Sequence, residues 1–346
     1  MRICVCGVQT PFTFGGAELL VQSLVEQLRA RGHQADTVML PFTWPNRTQL
    51  FKSSLAWRLL DLTAAEDGRI DLVIATRFPS YLVKHPNKVV WLVHQLRQAY
   101  ELAGTTYSDF KGTPRDRRVG EMLRAMDTRT LAEARRVFAI SKNVAARLEH
   151  HNGLRVEALY PPPRLTGRLR PGPPGDYVFS VGRLNQIKRF ELLVKAMKHA
   201  RSGVRAKIAG TGPERDDLAE LIRKLGLEDR VELLGWVDDD RAVELYAGAL
   251  AVYYAPFDED YGYVTVEAYQ AGKPVVTLAD AGGVLEFVRD GENGFVCPPG
   301  APVEVARRFD WLYEHPEEAR RMGEAGAAAV RDVDWDHVID RLLGAA

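Results

Sequence analysis

Tyr160-Pro161-Pro162-Pro163, then Pro171-Gly172-Pro173-Pro174-Gly175, then Tyr177-Val178-Phe179-Ser180-Val181-Gly182-Arg183: across these runs one folding pattern stops and the same pattern starts again. Proline fixes φ and removes an N–H, and glycine frees the backbone, so neither helical nor strand periodicity survives from 160 to 175. The stretch reads as an interdomain linker. The run that follows it, Tyr177 to Val181, is short, almost wholly apolar and closed by glycine, as a strand buried on both faces requires. Downstream the pattern predicts helix over Phe190 to His199, strand over Arg205 to Ala209 and helix over Glu214 to Leu225. Strands follow at Val231 to Leu234, Ala251 to Tyr254, Val275 to Leu278 and Phe295-Val296, with helices between them.

Upstream the alternation is the same. Ile3 to Val8, Gln34 to Met39, Asp71 to Ala75, Lys88 to Val93 and Arg136 to Ile140 read as strands. Leu19, Leu20, Ser23, Leu24 and Leu28 keep one helical face apolar up to a glycine stop at Gly32, and helices are expected over 117–135 and Val144 to His150. The fold class is therefore α/β, with two doubly wound, Rossmann-like domains joined by a hinge. The expected division is 1–165 for the first and 166–330 for the second. The last helix, Trp335 to Leu343, is expected to cross back, adding 331–346 to the first domain.

Composition narrows the function. A chain of 346 residues is longer than one core usually supports, and 46 basic against 46 acidic residues leave no net charge to hold nucleic acid at long range. Cys4, Cys6 and Cys297 have no metal-ligand or redox spacing and read as reduced core thiols in a cytoplasmic protein. The N-terminal apolar stretch is too short for a signal peptide, and no apolar run reaches membrane-spanning length.

Four places carry candidate chemistry. Gly15-Gly16-Ala17-Glu18 opens the first helix, where backbone N–H groups and the helix dipole favour an anion. Gly182-Arg183-Leu184-Asn185-Gln186-Ile187-Lys188 sets an arginine fork and a lysine point charge five residues apart after a strand, suited to a diphosphate. In Asp258-Glu259-Asp260-Tyr261-Gly262-Tyr263-Val264-Thr265-Val266-Glu267, Glu259 lies before a helix predicted over Tyr263 to Ala271 and Glu267 lies inside it, with Gly262 freeing N–H groups at the helix start. The same stretch holds Asp258-x-Asp260, which also reads as a divalent-metal pair. His94 sits at the carboxyl end of a strand. The plain alternatives are a turn before a helix, a solvated basic loop, acidic residues favoured by a helix dipole, and a structural histidine.

Taken together these stretches resemble the retaining glycosyltransferases of family 4, which have the GT-B fold. The resemblance rests on Val181-Gly182-Arg183-Leu184 with Lys188, Ala209-Gly210-Thr211-Gly212-Pro213, Leu234-Gly235-Trp236-Val237, Glu259 through Glu267, Ala271-Gly272-Lys273-Pro274-Val275 and Asp290-Gly291-Glu292-Asn293-Gly294. It covers the second domain in order and spacing, and the first more loosely through Gly15-Gly16, Gly32-His33, His94 and Ala139-Ile140-Ser141-Lys142.

The resemblance implies two domains facing across a cleft, the first binding an acceptor and the second a nucleotide-sugar donor. Arg183 and Lys188 would neutralise the leaving diphosphate, Glu259 would meet the donor sugar and Glu267 the ribose. Gly262, Tyr263 and Val264 would present backbone N–H groups to phosphate or sugar oxygens. Gly210 and Val237 would lie near the nucleoside, Gly15 and Gly16 near the phosphate, and His94 near the anomeric carbon or acceptor hydroxyl. No metal or other cofactor is implied. The expected reaction moves a hexose from a nucleotide-diphosphate sugar, GDP-mannose ahead of UDP-sugars, to a glycan or lipid-linked acceptor of polysaccharide biosynthesis. Asp260 departs from the family's usual glycine. A nucleotide-sugar epimerase of similar fold, a metal-dependent transferase and a non-catalytic sugar-nucleotide binder stay open as rivals.

One further segment stands apart. Phe42 to Leu62 carries Phe42, Trp44, Leu50, Phe51, Leu55, Trp57 and Leu59 with Arg47, Lys52 and Arg58, and between Lys111 and Arg136 basic residues outnumber acidic ones eight to four. It reads either as a helix packed on its own sheet or as an amphipathic surface meeting the inner face of a membrane.

Overall fold

In the computed structural model, which describes all residues but 13, 14, 44, 45, 67, 345 and 346, the apolar runs become strands of two parallel sheets. The chain divides at Arg164 and Asp334 into two units, Met1–Arg164 with Asp334–Ala346, and Leu165–Val333. The first unit runs β1 (Arg2–Gln9), α1 (Gly16–Ala30), β2 (Gln34–Pro41), α2 (Arg47–Leu59), β3 (Ala64–Ala65), β4 (Gly68–Arg69), β5 (Leu72–Ala75), β6 (Lys88–Leu92), α3 (Pro114–Leu131), β7 (Arg136–Ala139), α4 (Lys142–Asn152) and β8 (Glu157–Ala158). Its sheet order is β2-β1-β5-β6-β7-β8, every pair parallel, while β3 and β4 form a separate antiparallel pair. Val73, Ile74 and Val89 to Leu92 are wholly buried, as strands of a parallel sheet must be.

Local chemistry sets the helix starts. Asn46, Thr113 and Ser141 each accept a backbone N–H from three residues on, capping α2, α3 and α4. Thr113 followed by Pro114 explains why α3 begins at 114 rather than at 117: proline at the first helical position has no N–H to leave orphaned. All three cysteines are free thiols, Cys6 and Cys297 buried.

Behind the first sheet lies a buried polar group with a measurable consequence. Asp127 of α3 is wholly buried and accepts the Tyr100 hydroxyl at 2.5 Å. Burial pushes its carboxyl up from 3.8 to about 7, against the hydrogen bond from Tyr100 that pulls it down. A folded pKa above the unfolded one means that the folded state holds the extra proton. The stability this group contributes is complete below the unfolded value and is lost as pH rises through about 7. The melting temperature of the wild type relative to Asp127→Asn is therefore expected to fall as pH rises from about 4 to about 7 and to level off above that. A difference that stays level or rises across that window would show that Asp127 is ionised in the fold.

The second unit repeats the architecture: β9 (Tyr177–Val181), α5 (Phe190–His199), β10 (Arg205–Ala209), α6 (Arg215–Leu225), β11 (Val231–Gly235), α7 (Asp239–Ala247), β12 (Ala251–Tyr253), α8 (Tyr263–Gln270), β13 (Val275–Leu278), β14 (Gly294–Cys297), α9 (Pro302–Glu314) and α10 (Pro316–Ala329). The order β11-β10-β9-β12-β13-β14 is parallel throughout. Its core joins Val178 and Ala251 of the sheet to Leu193 and Met197 of α5, Leu218 and Ile222 of α6, and Phe309 of α9. The strand order reverses between β9 and β12, and in the first unit between β1 and β5. Such a reversal opens a crevice at the carboxyl ends of the strands.

Two features differ from the reading of composition. The proline-glycine stretch is packed rather than free from its start, where Pro161, Pro162 and Pro163 are buried. Leu165 and Leu169 are buried, Lys273 Nζ donates to Gly172 O at 2.7 Å, and Gly175 N donates to Gly248 O at 3.1 Å. The glycines serve close approach to the α7 end rather than flexibility: a Cβ on Gly175 would stand 2.3 Å from Gly248 O. The second difference is where the chain returns, at Asp334 and not at 331. The last helix, α11 (Trp335–Gly344), buries Val338, Ile339 and Leu342 against the first unit. Trp335 packs edge-on to Trp91 at 6.1 Å. A ten-residue helix has little stability alone, so this apolar face is what holds it in place.

Candidate active site

The reversal point of the second unit gathers the loops after β9, β10, β12 and β13. After β9 the chain turns through Gly182 and Arg183 into a single 3₁₀ turn at Gln186–Lys188. Lys188 Nζ meets the carboxylate of Glu259 and the Tyr254 hydroxyl at 3.0 Å. Burial works against the lysine charge, but the negative charge of Glu259, with Tyr254 beside it, outweighs burial and pushes the lysine pKa up. Burial and the adjacent Glu259 likewise hold Tyr254 as a neutral phenol. Lys188 is thus a fixed cation at a strand end. Arg183 is exposed and has no ion-pair partner among the described residues.

Glu259 is held from below by backbone. Asp258 N donates to Asp280 O at 2.8 Å, Glu259 N to Ala281 O at 3.1 Å, and Gly283 N to Glu259 O at 2.8 Å. This short parallel bridge between Glu259 and Gly282 leaves the Glu259 side chain as the part able to reach a ligand. Three residues on, Gly262 caps α8 at φ 90°, a left-handed angle where a Cβ would also stand 2.9 Å from Val284 Cγ2. The N–H groups of Tyr263 and Val264, in the first turn of α8, have no partner among the described residues. Nor does Thr265 Oγ1, which is wholly buried in the same turn. Glu267, a turn deeper, accepts the hydroxyl of Tyr246 at 2.7 Å.

Gly210 follows β10 at φ 133°, where its N donates to Gly235 O at 2.7 Å. A Cβ there would lie 1.9 Å from Gly182 O. The three loops that follow β9, β10 and β11 can stack only because this residue has no side chain. Val237, half-buried, comes two residues after that stack.

The structure therefore brings Lys188, Glu259, Gly262, Tyr263 and Val264 into one group of loops and seats Glu267 in the adjoining helix. Sequence reasoning missed Tyr254, Tyr246 and Thr265, and with them Arg189, whose guanidinium pairs with Asp280. Tyrosines 254 and 246 lie 66 and 21 residues from their partners and carry no local signal. Arg189, next to Lys188, was open to notice as a second cation after the strand.

In the first unit, His94 follows β6, is half-buried, and its Nδ1 lies 2.6 Å from Gln95 O. Gly15 and Gly16 stand at the start of α1. The Gly15 N–H donates to Glu18 Oε2 at 3.0 Å, and Glu18 is itself paired with Arg77. A carboxylate of the chain thus caps the first turn of α1 at Gly15 N–H, an interaction that Gly-x-x-Glu favours. Gly16 and Ala17 N–H have no partner among the described residues. In the segment from Phe42 to Leu62, Phe42, Leu50 and Trp57 are buried, while Leu55 and Leu59 are exposed; Trp44 lies outside the described residues. No helix among the described residues is long and apolar enough to cross a membrane.

Residues 169–329, just under half of the chain, match the family described as Glycosyl transferases group 1. A D-inositol 3-phosphate glycosyltransferase of Nocardia farcinica is 30% identical over 305 residues, covering 80% of this chain and 66% of that protein. Overall, the chain spans two thirds or less of the curated relatives it matches. Among solved structures, a sucrose-phosphate synthase from Thermosynechococcus elongatus superposes over 100% of both chains with a TM-score of 0.79 at 18% identity. Anabaena HepE in complex with UDP and glucose covers 99% of both with a TM-score of 0.74 at 20% identity. These likenesses establish the two-domain GT-B architecture.

Proposed function

From a group 1 glycosyl transferase domain at residues 169–329 within a GT-B fold, we propose that the protein transfers a hexose from a nucleoside diphosphate sugar, with retention and without a metal. One observation carries the reading: Lys188, locked to Glu259 and Tyr254, stands at the strand reversal together with the open N-terminus of α8 and the exposed Arg183. Two cations and a helix start converge on a dianionic leaving group, and the adjacent carboxylate reaches for hydroxyl groups of the sugar. Charge develops on the diphosphate as the glycosidic bond breaks. Lys188 and Arg183 stabilise that charge in place of a metal ion. Glu259 is engaged by Lys188, which suits it to orienting the sugar rather than attacking it. The leaving diphosphate is the base for the acceptor hydroxyl on this reading. Glu267, set by Tyr246, holds the ribose.

A thermal-shift and hydrolysis screen of nucleotide sugars, including GDP-mannose and UDP-glucose, with and without chelator, tests the proposal. The expected result is chelator-insensitive stabilisation by one donor and slow release of its nucleotide. Glu267→Ala is expected to weaken donor affinity by about tenfold or more, one lost charge-assisted hydrogen bond. Binding that requires a divalent ion, or donor conversion to an epimer, would move the rivals ahead.

The acceptor is a glycan or glycolipid on the same proposal, reached at the inner face of a membrane. Supporting this, Leu55 and Met122 are exposed beside a groove of about 500 Å³ between α2 and α3, with Arg58 and Arg129 in its lining. Lys52 and Arg118 add exposed positive charge on the same helices. Co-sedimentation with anionic vesicles at low salt, lost at high salt, is expected. No binding at low salt would remove the membrane from the picture.

A further inference from the structure

Arg189 carries more structure than a surface cation after a strand should. It is 6% exposed and adopts a left-handed backbone at φ 55°, an angle that costs a side-chain-bearing residue strain and is retained where surrounding contacts enforce it. Its Nε donates to Ala255 O at 2.8 Å, Nη2 to Pro256 O at 2.9 Å, and Nη1 and Nη2 clasp both carboxylate oxygens of Asp280 at 2.8 and 2.7 Å. One planar fork thus ties the loops after β9, β12 and β13 together. The segment it clasps leads into Phe257, whose N donates to Ile187 O, and Asp258, whose N donates to Asp280 O. Asp258 is a second non-glycine residue at positive φ, 44°. Glu259 comes next. The strained turn at Arg189 directly follows Lys188, and the strained turn at Asp258 directly precedes Glu259. Arg189 and Asp280 join the two.

We propose that Arg189, through its fork to Asp280, Ala255 and Pro256, is the positioning residue that sets Glu259 against Lys188 in the donor site. The inference rests on the donor-site reading above and names what holds that site in register. Arg189 touches neither sugar nor phosphate: it is buried, and four of its five side-chain N–H groups are spent on the three loops. Lysine cannot replace it, since an ammonium lacks the planar two-branched donor set that spans two carbonyls and a carboxylate.

Arg189→Gly tests this with little confusion from folding, because glycine takes φ 55° without strain and offsets part of the lost contacts. Two readouts are paired. Hydrogen exchange over 255–262 is expected to quicken in Arg189→Gly while the strands of the second unit keep their protection. Turnover of the nucleotide sugar is expected to fall about 100-fold, while the dissociation constant for the nucleoside diphosphate alone, UDP or GDP, moves by no more than about threefold. Non-denaturing guanidinium is expected to restore part of the turnover, and Arg189→Lys to remain impaired. Unchanged exchange over 255–262, or a folded Arg189→Gly with near wild-type turnover, would overturn the proposal. So would equal losses of nucleoside diphosphate affinity and turnover without rescue, the mark of general damage. If Arg189→Gly does not fold, Asp280→Asn is read by the same criteria. Faster exchange over 255–262 in a protein whose wild type is inert toward every nucleotide sugar would uphold the clamp and sink the reading of function instead.

Discussion

Glu259→Gln is expected to lower turnover of the nucleotide sugar by about two to three orders of magnitude, while affinity for the nucleoside diphosphate changes by less than about tenfold. The substitution keeps the shape of the side chain and an acceptor oxygen for Lys188, so the loop pinned by Asp280 and Ala281 stays in place. What disappears is the negative charge. Charge-assisted hydrogen bonds from sugar hydroxyls weaken, and the sugar is no longer held at the angle from which its bond to phosphate breaks. Lys188→Met is expected to behave differently. With no cation on the leaving group, turnover and nucleoside diphosphate affinity fall together. Steady-state kinetics and calorimetry on both variants, with melting curves to verify folding, separate the two roles. A folded Glu259→Gln protein with turnover within about tenfold of wild type would remove Glu259 from the site.

Gly210→Ala is expected to destabilise the second unit whatever its substrate. Gly210 has φ 133°, an angle nearly closed to residues with a side chain, and the added methyl would fall 1.9 Å from Gly182 O. Neither atom has room to yield. The carbonyl belongs to the loop after β9, whose Gly182 N is bonded to Ala209 O, and Gly210 N is bonded on the other side to Gly235 O. Backbone strain of about 1–3 kcal/mol and overpacking of about 1–3 kcal/mol combine to roughly 3 kcal/mol or more. For a unit of this size that lowers the melting temperature by about 6–12 °C. Because the loop after β9, against which Gly210 packs, carries Arg183 and Lys188, donor binding is expected to weaken in the same variant even below its melting point. A melting temperature within about 2 °C of wild type would show that the stacked loops relax freely.

The two doubly wound units and most of the loops gathered at the strand reversal of the second unit were legible in the chain because their signals are local. A buried parallel strand is a short apolar run, and an anion-binding helix start is a glycine ahead of the first turn. Gly182 to Lys188 and Glu259 to Glu267 could be placed at strand ends from neighbours in sequence alone. Helix ends depended on single residues and were displaced where a cap was overlooked, as at Thr113-Pro114. Composition was a poorer guide at 165–175, since the glycines that read as flexible are there for close backbone contact.

What the sequence by itself determined, then, is the alternation of strands and helices, the point where the second array begins, and the residue types offered at the carboxyl ends of its strands. These follow from hydrophobic periodicity and backbone preference, which act over a few residues. Only the tertiary structure decided which of those residues meet. Lys188 joins Glu259 across 71 residues and Arg189 joins Asp280 across 91. Glu18 takes the Gly15 N–H at the start of α1 and is itself held by Arg77. Charge pairing is set by distance in space and by the dielectric around the pair, and neither is written in the spacing of residues along the chain.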